Sequence, residues 1–225
     1  MQKQTQNSFE EKIRETFFSE EAYEDTPLTE EKLVDILGAS RTRVREGLKA
    51  LEKEGIIEKR QKKGVYLRKP SLKEIAEIFD ARSGIEGFAG RLAARVVKEK
   101  DLKKLEKIGK EQRQELESGN IDKADALDNI FHRKIIQISG NKTLLRITDS
   151  FHILEKAFKM CHAIQSIAVI EYNPHSHEEI IESLREKNPT EVENIIRYHV
   201  QWSKQWLIEQ AMGIKINHFE EKRGG

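Results

Sequence analysis

The sequence is poor in cysteine and contains no apolar run long enough to cross a bilayer. Because Cys161 is the single cysteine, neither a disulfide within one chain nor a cluster of thiolate metal ligands is possible. The amino terminus also lacks the apolar core of a signal peptide, so we expect a cytoplasmic protein without a membrane partner. Net charge is nearly absent, since 40 Lys and Arg residues face 39 Asp and Glu residues, and the total does not indicate a nucleic-acid partner.

The distribution of charge along the chain is more informative than its sum. Residues 1–40 contain 4 basic and 10 acidic side chains, whereas residues 41–69 contain 11 basic and 4 acidic ones. Such a concentration of positive charge is the electrostatic feature that a phosphate backbone requires. A solvated, salt-bridged helix is the ordinary alternative for a charge run, so the order of the surrounding secondary structure has to decide between them.

A helix and a tight turn precede the basic segment. Leu33, Ile36 and Leu37 recur at helical spacing, and Gly38 can take the left-handed backbone that ends a helix. Ser40 can then cap a second helix through its hydroxyl group. Two helices joined by such a turn are the core of a helix-turn-helix motif.

The second predicted helix has a buried face and a face left for a partner. Val44, Leu48 and Leu51 form its apolar stripe. The candidate DNA-binding side chains crowd its first turns, the part that approaches base edges in this motif, and they are Arg41, Thr42, Arg43 and Arg45. Residues 56–60 and 65–67 then resemble two strands with a basic turn between them, so a wing is predicted.

Pro70 and Ser71 mark the boundary of a second domain, because a proline ends the wing strand and a serine can cap the following helix. We therefore expect a DNA-binding domain over 1–70, a helical domain over 71–215 and a tail over 216–225. Helical patterns in the second domain cover 72–98, 101–117, 121–139, 142–170, 174–187 and 189–213. The predicted fold class is mainly α, with an N-terminal winged helix-turn-helix followed by an all-α antiparallel bundle.

Four side chains of the predicted bundle are candidate metal ligands. Asp128 and His132 are four residues apart and therefore share one face of a helix. His177 falls in the first turns of a later helix and His199 near the middle of the next, and antiparallel packing can bring them together. Three imidazoles and one carboxylate suit zinc, nickel, manganese or iron. Spacing alone leaves open the ordinary alternative that each histidine is a surface or core residue.

The run Leu-Gly-x-Ser-Arg-Thr-x-Val-Arg-Glu-x-Leu-x-x-Leu-x-x-Glu-Gly at 37–55 resembles the GntR family of bacterial transcription factors. The resemblance implies DNA contacts by Arg41, Thr42 and Arg45, with Gly64 at the wing tip entering the minor groove. Two features depart from the family pattern. The Pro-Gly turn that usually precedes the second helix is absent, and Glu31 stands where some members carry a DNA-contacting arginine.

The second domain is similar to the ligand-binding domain of the FadR subfamily. The likeness is carried by Leu-Asp-x-x-Phe-His at 127–132, Ser-Gly-Asn at 139–141, Ser-His-Glu at 176–178 and Tyr-His at 198–199. It implies that the four candidate ligands bind one divalent metal ion, which holds a small carboxylate effector. Arg82 is the candidate for a second contact with that carboxylate, and a salt bridge with Glu86 one turn away is the equal alternative.

Together these features predict a homodimeric, effector-controlled transcription factor that binds a double-stranded DNA operator and represses a catabolic or transport operon. A metal-dependent enzyme, in which the same ion activates water, is the alternative from another class. We find no carboxylate in a clear general-base position beside the ligands, which disfavours the enzyme. A regulator with a purely structural metal is the third interpretation.

Overall fold

The computed structural model describes residues 9, 12–13, 15–17, 27–60, 64–161 and 176–214, without the side chains of 149, 150, 160 and 161. Contacts divide the chain into two units, which lie within Met1–Pro70 plus Lys156–Cys161 and within Ser71–Glu155 plus His162–Gly225. The predicted tail, the turn of the wing and residues 162–170 of the fourth bundle helix lie outside the described residues. Among the described helices, none combines the length and apolar character needed to cross a bilayer.

The first unit contains the predicted helix-turn-helix, formed by α1 (Glu30–Leu37) and α2 (Arg41–Lys53). Gly38 ends α1 with φ of 57°, and the Ser40 hydroxyl accepts a hydrogen bond from the Arg43 amide at 3.3 Å, which confirms both predicted roles. The apolar residues predicted for α2 are fully buried, whereas Ile36 of α1 is 49% exposed. The turn is therefore built as predicted, and α1 contributes less to the core than its spacing indicates.

The wing is a two-stranded antiparallel sheet of β1 (Ile57–Arg60) and β2 (Gly64–Leu67), in which Ile57 pairs with Leu67 and Arg60 pairs with Gly64. Leu28 adds an isolated bridge, because its amide donates to the Val65 carbonyl at 2.9 Å and its carbonyl accepts from the Val65 amide at 3.1 Å. The segment that enters α1 is therefore hydrogen-bonded to the wing.

The second unit is built from helices. In chain order they are α3 (Leu72–Val96), α4 (Glu99–Glu117), α5 (Ile121–Ile138), α6 (Lys142–Cys161), which continues into the first unit, α7 (His177–Glu186) and α8 (Pro189–Ala211). Ser71 and Glu74 form a capping box at the start of α3. The helix predicted from 174 begins at His177, because the Ser176 hydroxyl accepts from the Glu179 amide; residues 174–175 lie outside the described part of the chain.

Helix α3 packs closely against α8 because Gly90 of α3 leaves room for side chains of α8. A Cβ atom on Gly90 would lie 2.3 Å from Ile196 Cδ1 and 3.0 Å from Val192 Cγ1, and both of those side chains are buried. A Cβ atom on Gly84 of the same helix would meet nothing within 4 Å. The two helices therefore approach each other on the Gly90 face and not at Gly84.

We predict opposite effects for alanine at these two glycines. Gly84→Ala should raise the free energy of unfolding by up to about 1 kcal/mol, because alanine is the better helix former. Gly90→Ala should lower it by about 1–3 kcal/mol, because overpacking outweighs the gain in helix propensity. Urea denaturation of both variants tests this. Equal stabilisation by both alanines would contradict the close packing of α3 on α8.

Candidate DNA-reading helix and metal centre

The exposed side of α2 carries the predicted DNA-binding residues. Arg41, Thr42, Arg43 and Arg45 are all exposed, while Val44 between them is fully buried. This pattern is typical of an amphipathic helix that packs against the core on one face only. The structure thus places all four side chains on the solvent side of the helix start.

The arginines of α2 have partners within the first unit. Arg45 Nε donates to Glu30 Oε2 at 2.6 Å, and Arg41 Nη2 lies 3.7 Å from Glu31 Oε1. The Arg43 guanidinium lies over the Phe9 ring, 4.4 Å from its centroid. Exposed ion pairs contribute only about 0–1 kcal/mol, so the two glutamates orient the arginines without preventing their transfer to phosphate or base edges.

Gly64 has a structural reason to be glycine. It is the first residue of β2, with φ of 98°, and a Cβ atom there would lie 2.8 Å from Pro27 Cβ. A side chain at this position would therefore strain the backbone and collide with the segment that enters α1. The role of Gly64 in the minor groove stays a prediction, because the adjoining turn lies outside the described residues.

The structure brings Asp128, His132, His177 and His199 together. One ligand atom from each side chain can be chosen so that all four lie within 4.8 Å of one another. The Nε2 atoms of His132 and His199 are 3.1 Å apart. His177 Nε2 is buried without a hydrogen-bond partner and lies 3.3 Å from Asp128 Oδ1. Three ring nitrogens and one carboxylate oxygen therefore converge from α5, α7 and α8.

Neighbouring side chains orient two of the imidazole rings. His177 Nδ1 is 2.9 Å from Gln112 Oε1, and the Gln112 amide also donates to Asp128 Oδ1 at 3.2 Å. His132 Nδ1 is 3.0 Å from Glu86 Oε2. Partners at Nδ1 leave Nε2 to face the cluster, which is the arrangement that surrounds metal-bound histidines. The donor set and the unpartnered His177 Nε2 thus fit a divalent transition metal.

Burial and charge shift the protonation of these ligands. Burial raises the pKa of Asp128, but His177 and His132 outweigh it and hold that pKa well below its usual value. Burial keeps the pKa of His177 below its ordinary value. Burial also lowers the pKa of His132, but the Glu86 and Asp128 carboxylates reverse this and raise it. A cation bound here meets a carboxylate held in its anionic form, and it competes with a proton at His132, because the raised pKa of that ring favours its charged form.

Arg82 contacts two protein carboxylates. Its Nε donates to Glu86 Oε1 at 2.8 Å, and its Nη1 donates to Glu155 Oε2 of α6. All three side chains are buried. The salt bridge with Glu86, one of the two alternatives for Arg82, is therefore present in the structure, and it is joined by a second one. The contact of Arg82 with an effector remains a prediction.

Sequence reasoning missed two residues of this centre. Gln112 carried a usable signal, because it lies seven residues after the buried Leu105 and so places an amide on the apolar stripe of α4. Glu155 carried no such signal, since its partner Arg82 is 73 residues away in the sequence.

Comparisons with known proteins agree with this architecture. A family model described as the FCD domain matches residues 77–201, and one described as bacterial regulatory proteins of the gntR family matches residues 5–67. A probable D-xylose utilization operon transcriptional repressor of Paenarthrobacter nicotinovorans is 28% identical over 174 residues, which are 77% of this chain and 76% of the relative. The Uxu operon regulator of Haemophilus influenzae is 26% identical over 208 residues, covering 85% and 77% of the two chains.

Solved structures show the same fold. The structure of E. coli McbR/YncC aligns with a TM-score of 0.77 at 18% identity, covering 91% of this chain and 97% of that one. A GntR regulator structure from Rhodococcus sp. RHA1 aligns with a TM-score of 0.72 at 14% identity, covering 95% and 100%. The winged helix-turn-helix, the FCD-type helical unit and these relatives lead to one conclusion. The chain belongs to the GntR family, as a FadR-type, DNA-binding transcription regulator and not an enzyme.

Proposed function

We propose that this regulator responds to a small carboxylate held by one divalent transition metal ion per chain, either zinc, nickel, manganese or iron. Asp128, His132, His177 and His199 would be the protein ligands. The observation that carries the proposal is the convergence of their four ligand atoms within 4.8 Å inside the helical unit. Four such donors suit these metals.

The ion would supply a positive centre that attracts a carboxylate. The protein contributes the remaining features of the site. Gln112 and Glu86 fix the orientation of His177 and His132, and the Phe131 ring stacks on His177 with the ring centroids 3.8 Å apart. Both rings are buried, and these contacts hold their Nε2 atoms toward one point, so the site is formed before an effector arrives.

Two further features of the proposal come from the family and its relatives. GntR regulators typically act as dimers on operator DNA, so we infer a homodimer that reads two half-sites of a palindrome. The relatives are named for repression of D-xylose utilization and for regulation of the Uxu operon. We infer that this chain likewise represses a catabolic operon and that the effector changes its affinity for the operator.

Metal content tests the ligand set. Full-length protein purified without a chelating column should contain about one transition-metal ion per chain, and His177→Ala and His199→Ala should each lose it, because each removes one donor. Tyr198→Ala is the matched control, since Tyr198 adjoins His199 but is 62% exposed. Elemental analysis gives the result. A metal-free wild type after reloading, or metal retained in both histidine variants, would overturn the proposal.

Gln112→Met should weaken metal binding without removing a ligand. Gln112 contacts both His177 and Asp128, and loss of such an orienting contact typically costs 10- to 100-fold (about 1.4–2.7 kcal/mol) in metal affinity. Competition with a chromophoric chelator measures the change. Gln137→Met on the exposed side of α5 serves as the control. Unchanged affinity in Gln112→Met would show that the His177 ring needs no such support.

DNA binding has a separate test. Arg41→Ala and Arg45→Ala should each weaken binding by about 1–3 kcal/mol to duplexes selected by wild type from a random 30-bp library, if each arginine contacts a base pair. Where the arginine contacts phosphate instead, the slope of log affinity against log salt should fall by about 1. Lys104→Ala, an exposed lysine of α4, is the control. Unchanged affinity and slope in both variants would contradict the role of α2.

A further inference from the structure

A polar cluster beside the four ligands is not used by the proposed function. Arg82 of α3 contacts Glu155 of α6, and His152 lies one turn before Glu155 on the same helix. Residues three apart share a face of a helix, so His152 and Glu155 both lie toward Arg82. Both ring nitrogens of His152 are buried, and neither has a hydrogen-bond partner.

The state of the His152 ring defines what it can bind. Burial, and then the Arg82 charge, lowers the pKa of His152 to about 4. The ring is therefore neutral at ordinary pH and offers one N–H donor and one acceptor nitrogen. Because a buried polar atom without a partner destabilises the fold, a group that both donates and accepts a hydrogen bond would be stabilised beside it.

The charges of the centre limit how many carboxylate groups the effector can carry. Arg82 contributes one positive charge and a divalent ion would contribute two. Asp128, Glu86 and Glu155 contribute three negative charges, so the centre with its ion is neutral. One effector carboxylate makes the buried centre negative by one charge, and a second carboxylate would add another uncompensated buried charge. Arg82 offers no unpaired charge for it, because it already contacts two carboxylates.

We propose that the effector is a monocarboxylic acid with a hydroxyl group away from its carboxyl end, and that Glu155 and His152 bind this hydroxyl. The inference rests on the proposed function and names the class of molecule. A carboxylate can accept about four hydrogen bonds, so Glu155 can accept one from the effector hydroxyl in addition to its contact with Arg82. The His152 N–H can donate to the hydroxyl oxygen.

Matched acids test the class with the metal-loaded full chain in isothermal titration calorimetry. The probes are 6-hydroxyhexanoate against hexanoate, 4-hydroxybutyrate against butyrate, and adipate as the dicarboxylate. The hydroxyl of a 2-hydroxy acid can chelate the metal together with the carboxylate. A hydroxyl at the far end of the chain cannot, so a preference for these probes reports a separate hydroxyl site. We expect at least one hydroxy acid to bind ten-fold or more tightly than its unsubstituted partner, and adipate to bind more weakly than hexanoate.

Variants separate this subsite from the metal. Glu155→Gln and His152→Phe should each reduce the preference for the hydroxy acid by five-fold or more, while the affinity for the unsubstituted acid stays within two-fold in His152→Phe. Glu155→Gln should also improve adipate binding, because it removes one negative charge. Glu193→Gln is the matched control, since it breaks another Arg–Glu contact between α3 and a second helix, at Arg91. It should change none of these values.

The outcomes distinguish the two proposals. If none of the five acids binds to metal-loaded wild type, carboxylate sensing fails and this inference fails with it. If butyrate and hexanoate bind as tightly as their hydroxylated partners, or adipate binds most tightly, the proposed function stands and the hydroxyl subsite is wrong. A hydroxyl preference that persists in both Glu155→Gln and His152→Phe would likewise overturn the assignment of these residues.

Discussion

The meeting of three imidazole rings and one carboxylate inside the helical unit is the constraint on which the second half of this molecule depends. Buried polar groups destabilise a fold unless each finds a partner. Gln112 on α4 and Glu86 on α3 meet this requirement at the Nδ1 atoms of His177 and His132, whereas His177 Nε2 has no hydrogen-bond partner. Arg82 then balances Glu86 and Glu155. One polar network therefore connects six helices, α3 to α8, and a cation would complete its charge balance.

The apolar packing positions this network. Helix α8 brings His199 to the cluster, and its close approach to α3, where Gly90 leaves room for Ile196, sets its position relative to Glu86. His177 reaches the cluster as the first residue of α7 because Ser176 caps the start of that helix. Local sequence signals thus determine where each helix begins and so where each ligand lies along it. Aliphatic packing between the helices then brings the ligands together.

Much of this could be predicted from the sequence, because the signals are local. The Gly38 turn, the Ser40 cap and the buried stripe of α2 need only helical periodicity and capping chemistry. The shared face of Asp128 and His132 follows from their spacing. The contacts of Arg82 with Glu155 and of Arg45 with Glu30 could not be predicted, since they pair residues of different helices. The exposure of Ile36 is a further case, because periodicity does not tell how much of a short helix the core covers.

X-ray absorption at the metal K-edge of the nickel- or zinc-loaded full chain would show whether the three histidines bind the ion. We expect the multiple-scattering pattern of imidazole, with three nitrogen scatterers at about 2.0–2.1 Å for zinc. This pattern should persist when a carboxylate is added, since the proposed effector joins the ion without displacing a histidine. A spectrum containing only oxygen scatterers, as from a hydrated ion, would contradict the assignment of His132, His177 and His199 as ligands.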